Sequence, residues 1–270
     1  MSYRMLVTDM DDTLLNNRSE LSEEDREVIL AAEEKGLKFV LASGRPTYGM
    51  RPVAEKLCLR DFDSFLLSYN GAHILSAKTG EVIRRKELAR EDLHLLWDYA
   101  KQYRTDILTY KDEKIVSDHP GKYVRIDLEL TKMPLLVPSD FKAHMDCGAP
   151  KCMLLAEPED LNAVESVLKE RHGDRFTITR SRPYFLEFVA KGVSKGAAVA
   201  WLAAEEGIAP GEIIACGDSW NDLDMIRYAG LGVAVANANE EARAQADYIT
   251  ASNDNGGVAR VIRKFYLREA

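Results

Sequence analysis

Cysteine is scarce in this chain of 270 residues. The four present, Cys58, Cys147, Cys152 and Cys216, form no C-x-x-C pair. That spacing builds neither a zinc site nor a disulfide framework, and the expectation is buried, reduced thiols. The five histidines show no metal-binding spacing either. Basic charge is not in excess: 36 Lys and Arg against 44 Asp and Glu leave a net charge of −8. A general nucleic-acid or anionic-membrane binder is therefore not expected. No apolar run approaches the roughly 18–20 residues that span a bilayer. Residues 1–12 carry acids where a signal peptide needs an apolar stretch, so a cytoplasmic location is expected. Internal repeats and low-complexity tracts are also missing.

What is present is an ordinary soluble composition, 46% hydrophobic and 30% charged. The length fits about two domains at roughly 150 residues each. The first third alternates. Met5-Leu6-Val7-Thr8, Phe39-Val40-Leu41-Ala42 and Phe65-Leu66-Leu67 are apolar runs without polar alternation, which fits strands covered on both faces. Between them, Ser22 can cap a helix reaching about Lys35, and Pro46 suits the first turn of another ending near Leu57. This β-α-β-α-β rhythm implies a parallel sheet with right-handed crossovers. The last third repeats it, with a helix from Ser194, strands at Ile213–Cys216, Gly232–Ala236 and Tyr248–Thr250, and a closing helix Gly257–Arg268. The middle reads as α+β. Helices are predicted at Glu91–Tyr103 and Pro158–His172, with β-prone stretches at Lys122–Leu130, Lys151–Ala156, Phe176–Thr179 and Tyr184–Val189. The expectation is a discontinuous α/β core, residues 1–84 plus 190–270, carrying an inserted domain over 85–189.

Four motifs fall at predicted strand ends, the edge where parallel α/β sheets bind ligands. Asp9-Met10-Asp11-Asp12-Thr13 comes after the first strand. Its carboxylates at i and i+2 crowd one another, a conflict that a proton or a cation resolves. An isolated D-x-D is more often an acidic turn or a helix cap. Ser43-Gly44-Arg45 ends the second strand, where a small hydroxyl and a glycine let backbone N–H groups approach an anion. Its bland alternative is a common strand-to-helix turn. Lys195 sits in the first turn of a helix, a place disfavoured for a cation unless an anion offsets it or its head lies in water. Gly217-Asp218-Ser219-Trp220-Asn221-Asp222 adds hard oxygen ligands of the kind Mg²⁺ takes, although Asn221 and Asp222 also suit helix capping. Carboxylates, a hydroxyl, a lysine and further carboxylates at one edge form the inventory of phosphoryl transfer.

In this order and context, D-x-D-x-T, Ser, Lys and G-D-x-x-N-D resemble the four-motif signature of the haloacid dehalogenase-like hydrolases. The insertion between Ser43 and Lys195, with the Asn70-Gly71-Ala72 turn, is similar to the Cof-type sugar-phosphatase branch with a subclass IIB cap. The resemblance implies a Rossmann-like parallel-sheet core and an α+β cap that closes and reads the leaving group. It implies that Asp9 is the nucleophile and a Mg²⁺ ligand, and that Asp11 is the general acid/base, its backbone carbonyl also on the metal. Asp218 completes the protein ligands of the metal, with Asp222 acting on it through water or through hydrogen bonds to its ligands, and Ser43, Gly44, Lys195, Asn221 and the Met10 N–H hold the phosphate. Thr13 braces the loop. Asp12 stands where the family often has Gly; a left-handed backbone there is tolerated by Asp, which is expected to face the turn.

The implied activity is Mg²⁺-dependent hydrolysis of small phosphate monoesters, sugar phosphates foremost, through an aspartyl-phosphate on Asp9. The expected partner is a small phosphorylated metabolite, with no nucleic acid or membrane, and the protein a monomer or homodimer. A phosphomannomutase-like phosphotransferase and a non-catalytic phosphosugar-binding module use the same core. A receiver-type switch shares the residue types but lacks such an insertion. Arg45 is expected in a structural salt bridge ahead of a contact to substrate or a hold on the core–cap hinge, and Trp220 is expected to pack ahead of serving as a substrate platform. Arg180, Arg182 and Tyr184 read either as surface residues or as contacts to a polar substrate.

Overall fold

Apolar runs with no polar alternation become strands whose successive side chains enter two different cores. In the computed structural model, which describes residues 3–268, the chain forms two units. One contains the chain up to Arg84 and from Ser194 on, the other Arg85–Val193. Along the sequence the strands are β1 (Met5–Asp9), β2 (Lys38–Ala42), β3 (Phe65–Ser68), β4 (His73–Ser76) and β5 (Val82–Arg85). Next come β6 (Asp106–Lys111), β7 (Lys114–Ser117), β8 (Leu135–Leu136), β9 (Cys152–Leu155), β10 (Phe176–Arg182) and β11 (Phe185–Ala190). The last three are β12 (Ile213–Gly217), β13 (Leu231–Ala234) and β14 (Tyr248–Ile249).

The first unit holds an eight-stranded sheet in the order β14-β13-β12-β1-β2-β3-β4-β5. From β14 to β3 all neighbours are parallel, and β4 returns antiparallel to β3. Leu6, Phe39, Leu41, Ile214 and Val233 enter one core with Val28 and Ile29. Met5, Val7, Val40, Ala42, Ile213 and Ala215 enter the other with Val199 and Leu202. Adjacent residues of β1 are thus all buried, as expected for a sheet covered by helices on both faces. Ser22 caps the helix Glu23–Glu34 by accepting from the Asp25 N–H at 3.0 Å.

The second unit is a mixed sheet, β10-β11-β9-β6-β7-β8, antiparallel except between β7 and β8. Helices Arg90–Tyr103 and Pro158–His172 contribute Leu93, Leu96, Leu161 and Leu168 to its core. The β-prone reading of Lys122–Leu130 is overturned: Lys122–Thr131 is a helix. Its sequence alternates through Val124, Ile126, Leu128 and Leu130, yet the buried stripe is Tyr123, Val124, Asp127 and Thr131. The residue that sets the helical register is therefore a carboxylate, which hydropathy places outside. Asp127 is buried, and the Tyr110 hydroxyl, donating to it at 3.1 Å, offsets part of the cost. Nearby, Lys151 and Glu187 form a buried ion pair at 3.1 Å, with Ser181 donating to Glu187 at 2.6 Å.

The cysteines also depart from expectation. All four are free, and Cys152 and Cys216 are buried, but Cys147 is exposed and Cys58 half-buried. Among the described residues, no helix is long and apolar enough to cross a membrane.

Glu33 is a costly residue of the first unit. Its carboxylate is buried, accepts from the Ser64 hydroxyl, and leaves Oε2 without a hydrogen-bond partner. Burial pushes its pKa up to about 7 against the opposing pull of the Ser64 bond. The folded state therefore holds this proton more tightly than the unfolded chain. The stability it contributes is complete below the ordinary glutamate range and is lost as pH rises through about 7. Glu33→Gln should flatten that loss: thermal unfolding at pH 5 and pH 8 should differ less in the variant than in the wild type.

Candidate active site

The parallel register of β1, β2 and β12 brings their carboxyl ends to one edge. Asp9 is the last residue of β1, Ser43 comes directly after β2, and Asp218 directly after β12. Lys195 arrives separately, in the first turn of the helix Lys195–Glu205 that Ser194 caps. A tight turn locks that helix in position. Tyr69 and Asn70 both adopt left-handed backbone, and Gly71 has φ +87°. A Cβ on Gly71 would stand 2.5 Å from Cβ of Ala198 and 2.8 Å from the Ser194 carbonyl, so only glycine fits this approach.

Lys195 is fully buried, and its ammonium is the centre of the site. It donates to Asp9 Oδ1 and, at 2.6 Å, to Asp222 Oδ1. Burial alone would lower its pKa; the charges and hydrogen bonds of Asp222 and Asp9 outweigh that and raise it, so the lysine stays charged. Asp222 has no exposed surface, and its other oxygen accepts the backbone N–H groups of Asp218 at 3.0 Å and Ser219 at 3.1 Å. It thus fixes the loop after β12 and the lysine together. Gly217 permits this, because a Cβ there would lie 2.5 Å from Cβ of Asp222.

Asp9, Asp218 and Asp222 each offer an oxygen within 4.8 Å of the others. One ammonium cannot balance three carboxylates. Burial, then the neighbouring acids, push Asp9 well above its usual range despite Lys195. Asp218 is pushed up to about 7 by burial and then by Asp222, although the Thr13 hydroxyl donates to it at 3.0 Å. A buried set of hard oxygens with surplus negative charge fits a divalent cation.

The other residues of the four motifs surround this cluster or stand apart from it. Met10 has its side chain in the core. Asp12 adopts φ +59°, and its carbonyl accepts from Asn237 at 2.7 Å. Ser43 is buried, and its hydroxyl accepts the Arg45 N–H at 3.0 Å. Asn221 donates to Asn70 Oδ1 at 3.2 Å, the same oxygen that would meet a Cβ on Gly44 at 3.2 Å. Asn70 therefore ties the Ser43 and Asn221 loops together; the sequence marks it only as a turn residue. Asp11 stands apart from the three-acid cluster and is gripped by Arg45: Nε donates to Oδ2 at 2.9 Å and Nη2 to Oδ1. The expected salt bridge of Arg45 exists, but its partner is a member of the D-x-D motif. Trp220 does not pack, being 65% exposed. Arg180 pairs with Glu165 at 2.8 Å within the second unit, and Tyr184 stacks on Tyr123.

This fold and these motifs define a haloacid dehalogenase-like hydrolase. The family profile matches residues 6–262, and the chain belongs to that family. Among individual relatives, it is similar to 5-amino-6-(5-phospho-D-ribitylamino)uracil phosphatase YcsE of Bacillus subtilis (strain 168). The two are 31% identical over 276 residues, covering 99% of this chain and 97% of the relative. A crystal structure of a haloacid dehalogenase-like hydrolase from Bacteroides thetaiotaomicron superimposes with TM-score 0.93 at 38% identity, covering 98% of this chain and 100% of that one. The subclass IIB sugar phosphatase BT4131 shares the fold with TM-score 0.82 at 24% identity, over 97% and 98% of the two chains. The core with its inserted mixed sheet is the subclass IIB arrangement.

Removing the shared cation should expose how much the site depends on it. Lys195→Met leaves two buried carboxylates uncompensated and should cost about 3–5 kcal/mol, read by denaturant unfolding.

Proposed function

We propose that this protein hydrolyses small phosphate monoesters, sugar and sugar-alcohol phosphates foremost, with Asp9 as nucleophile and Mg²⁺ as cofactor. The observation that supports this most is the Asp9 carboxylate at the tip of a central strand, hydrogen-bonded to buried Lys195 and clustered with Asp218 and Asp222. YcsE, by its name, acts on a phosphate carried by a ribityl chain, which supports a polyhydroxy leaving group here.

Asp9, Asp218 and the Asp11 backbone carbonyl would hold the metal, with Asp222 behind them bracing Lys195. Bound Mg²⁺ would supply the positive charge that lets a carboxylate approach a phosphate dianion. Lys195, the Ser43 hydroxyl, Asn221 and the N–H groups of Met10 and Gly44 hold the phosphoryl oxygens. An Asp9 oxygen attacks phosphorus as the ester P–O bond breaks, and Asp11 donates a proton to the departing oxygen. Asp11 then takes a proton from water. That water attacks the aspartyl-phosphate, phosphate departs, and Asp9 is regenerated with Asp11 again protonated.

Phosphate release from a panel of hexose, pentitol and nucleotide monophosphates, with Mg²⁺ or with chelator, tests the reading. Asp9→Asn should abolish release while the variant unfolds cooperatively like the wild type. Asp11→Asn should lower kcat about 10²- to 10⁴-fold on alkyl phosphates. Near-normal turnover by Asp9→Asn removes the nucleophile assignment. Interconversion of hexose phosphates without free phosphate would make the enzyme a mutase.

A further inference from the structure

Arg45 holds the one acidic side chain of the D-x-D motif that lies outside the buried cluster, and it does so through a planar two-point contact. The guanidinium comes from a stiff support. The Arg45 N–H donates to the Ser43 hydroxyl at 3.0 Å, and its carbonyl accepts the Tyr69 N–H at 2.9 Å. Asp11 is equally constrained, since Asp12 after it is left-handed and tied to Asn237. With both backbones fixed, Nε on one carboxylate oxygen and Nη2 on the other set the rotation of the Asp11 side chain, which a single point charge does not. An ionised carboxylate has about two lone-pair sites on each oxygen. One bond apiece leaves a site open on both, so the fork orients Asp11 without covering it.

We infer that Arg45 is a positioning residue for catalysis: it aims the Asp11 carboxyl group at the oxygen that leaves phosphorus. This rests on the phosphatase reading and gives Arg45, to which the family resemblance assigns no part in the reaction, a role in it. The chemistry separates it from a role in gripping the phosphoryl group. A misaimed Asp11 harms substrates whose leaving oxygen must be protonated, such as alkyl phosphates. It spares the same step with activated aryl phosphates, whose phenolate departs without a proton. Hydrolysis of the aspartyl-phosphate, where Asp11 activates water, is shared by all substrates, so kcat/KM, which reads the first step, separates the two series.

The test is steady-state kinetics of wild type, Arg45→Ala and Arg45→Lys on one alkyl series (glycerol and hexitol phosphates) and one aryl series (nitrophenyl phosphates). General acid–base help is worth about 10²- to 10⁴-fold, so partial misplacement in Arg45→Ala should lower alkyl kcat/KM about ten- to a hundredfold. Aryl kcat/KM should fall less than about threefold. KM for the alkyl series should be little changed. Arg45→Lys, which keeps the charge but not the fork, should fall between Arg45→Ala and wild type. Equal losses of kcat/KM in both series, an alkyl change confined to KM, or full activity in Arg45→Lys would overturn the inference and leave the phosphatase reading standing. A wild type that releases phosphate from neither series would overturn both.

Discussion

One ammonium without solvent contact, shared by two carboxylates, organises the first unit of this protein. Taking Lys195 out of water is expensive, and only close anions offset the expense. Asp9 comes from β1 and Asp222 from the loop after β12, so the pair also ties together segments more than two hundred residues apart in sequence. Asp222 then uses its second oxygen on two backbone N–H groups, which converts a charge contact into a fixed loop. The glycines around it obey the same constraint. Gly71 lets the turn after β3 press on the start of the lysine's helix, and Gly217 lets Asp222 come up to β12.

The arrangement leaves negative charge in surplus. Asp9 and Asp218 both have raised pKa values, the first mainly from burial and the second from burial plus Asp222. A site built only for stability would dispense with that surplus, because replacing buried charges by packed apolar groups is often neutral or stabilising. Retaining three carboxylates around one lysine makes sense where a divalent cation and a phosphoryl group complete the electrostatics. The strain is thus placed where perturbed titration and ligand binding usually coincide.

Much of this is legible in the sequence, because the relevant signals are local. Strand ends at Thr8, Ala42 and Cys216, within a residue of those in the structure, can be read from apolar runs that stop at an acid, a serine or a glycine, and a parallel sheet then gathers the loops after those strands at one edge. The left-handed backbone of Asp12 accords with its place in the motif. The features that escape a sequence reading depend on side chains meeting across the fold. Asn70 looks like turn punctuation until its amide oxygen receives Asn221. The helix Lys122–Thr131 reads as a strand because its register is set by a buried carboxylate whose partner, Tyr110, lies on a strand the sequence does not announce. Trp220 looks like a packing residue on the ground of its size alone, and exposure is decided by neighbours that composition does not name.

The two acids of the D-x-D motif meet different cations, and the difference matches the work proposed for them. Asp9 faces a buried lysine, a compact charge that can be shared with an incoming phosphate while remaining in place. Asp11, 40% exposed at its side chain, faces a forked guanidinium that fixes direction more than charge. A nucleophile needs its charge balanced at close range; a proton carrier needs its oxygen aimed and its open lone pair reachable. Two residues apart in sequence, the pair is separated in environment by one turn of backbone: Met10 folds into the core, Asp11 is extended, and Asp12 turns left-handed. That short irregular segment divides two chemically identical side chains between the two roles proposed for them, nucleophile and proton carrier.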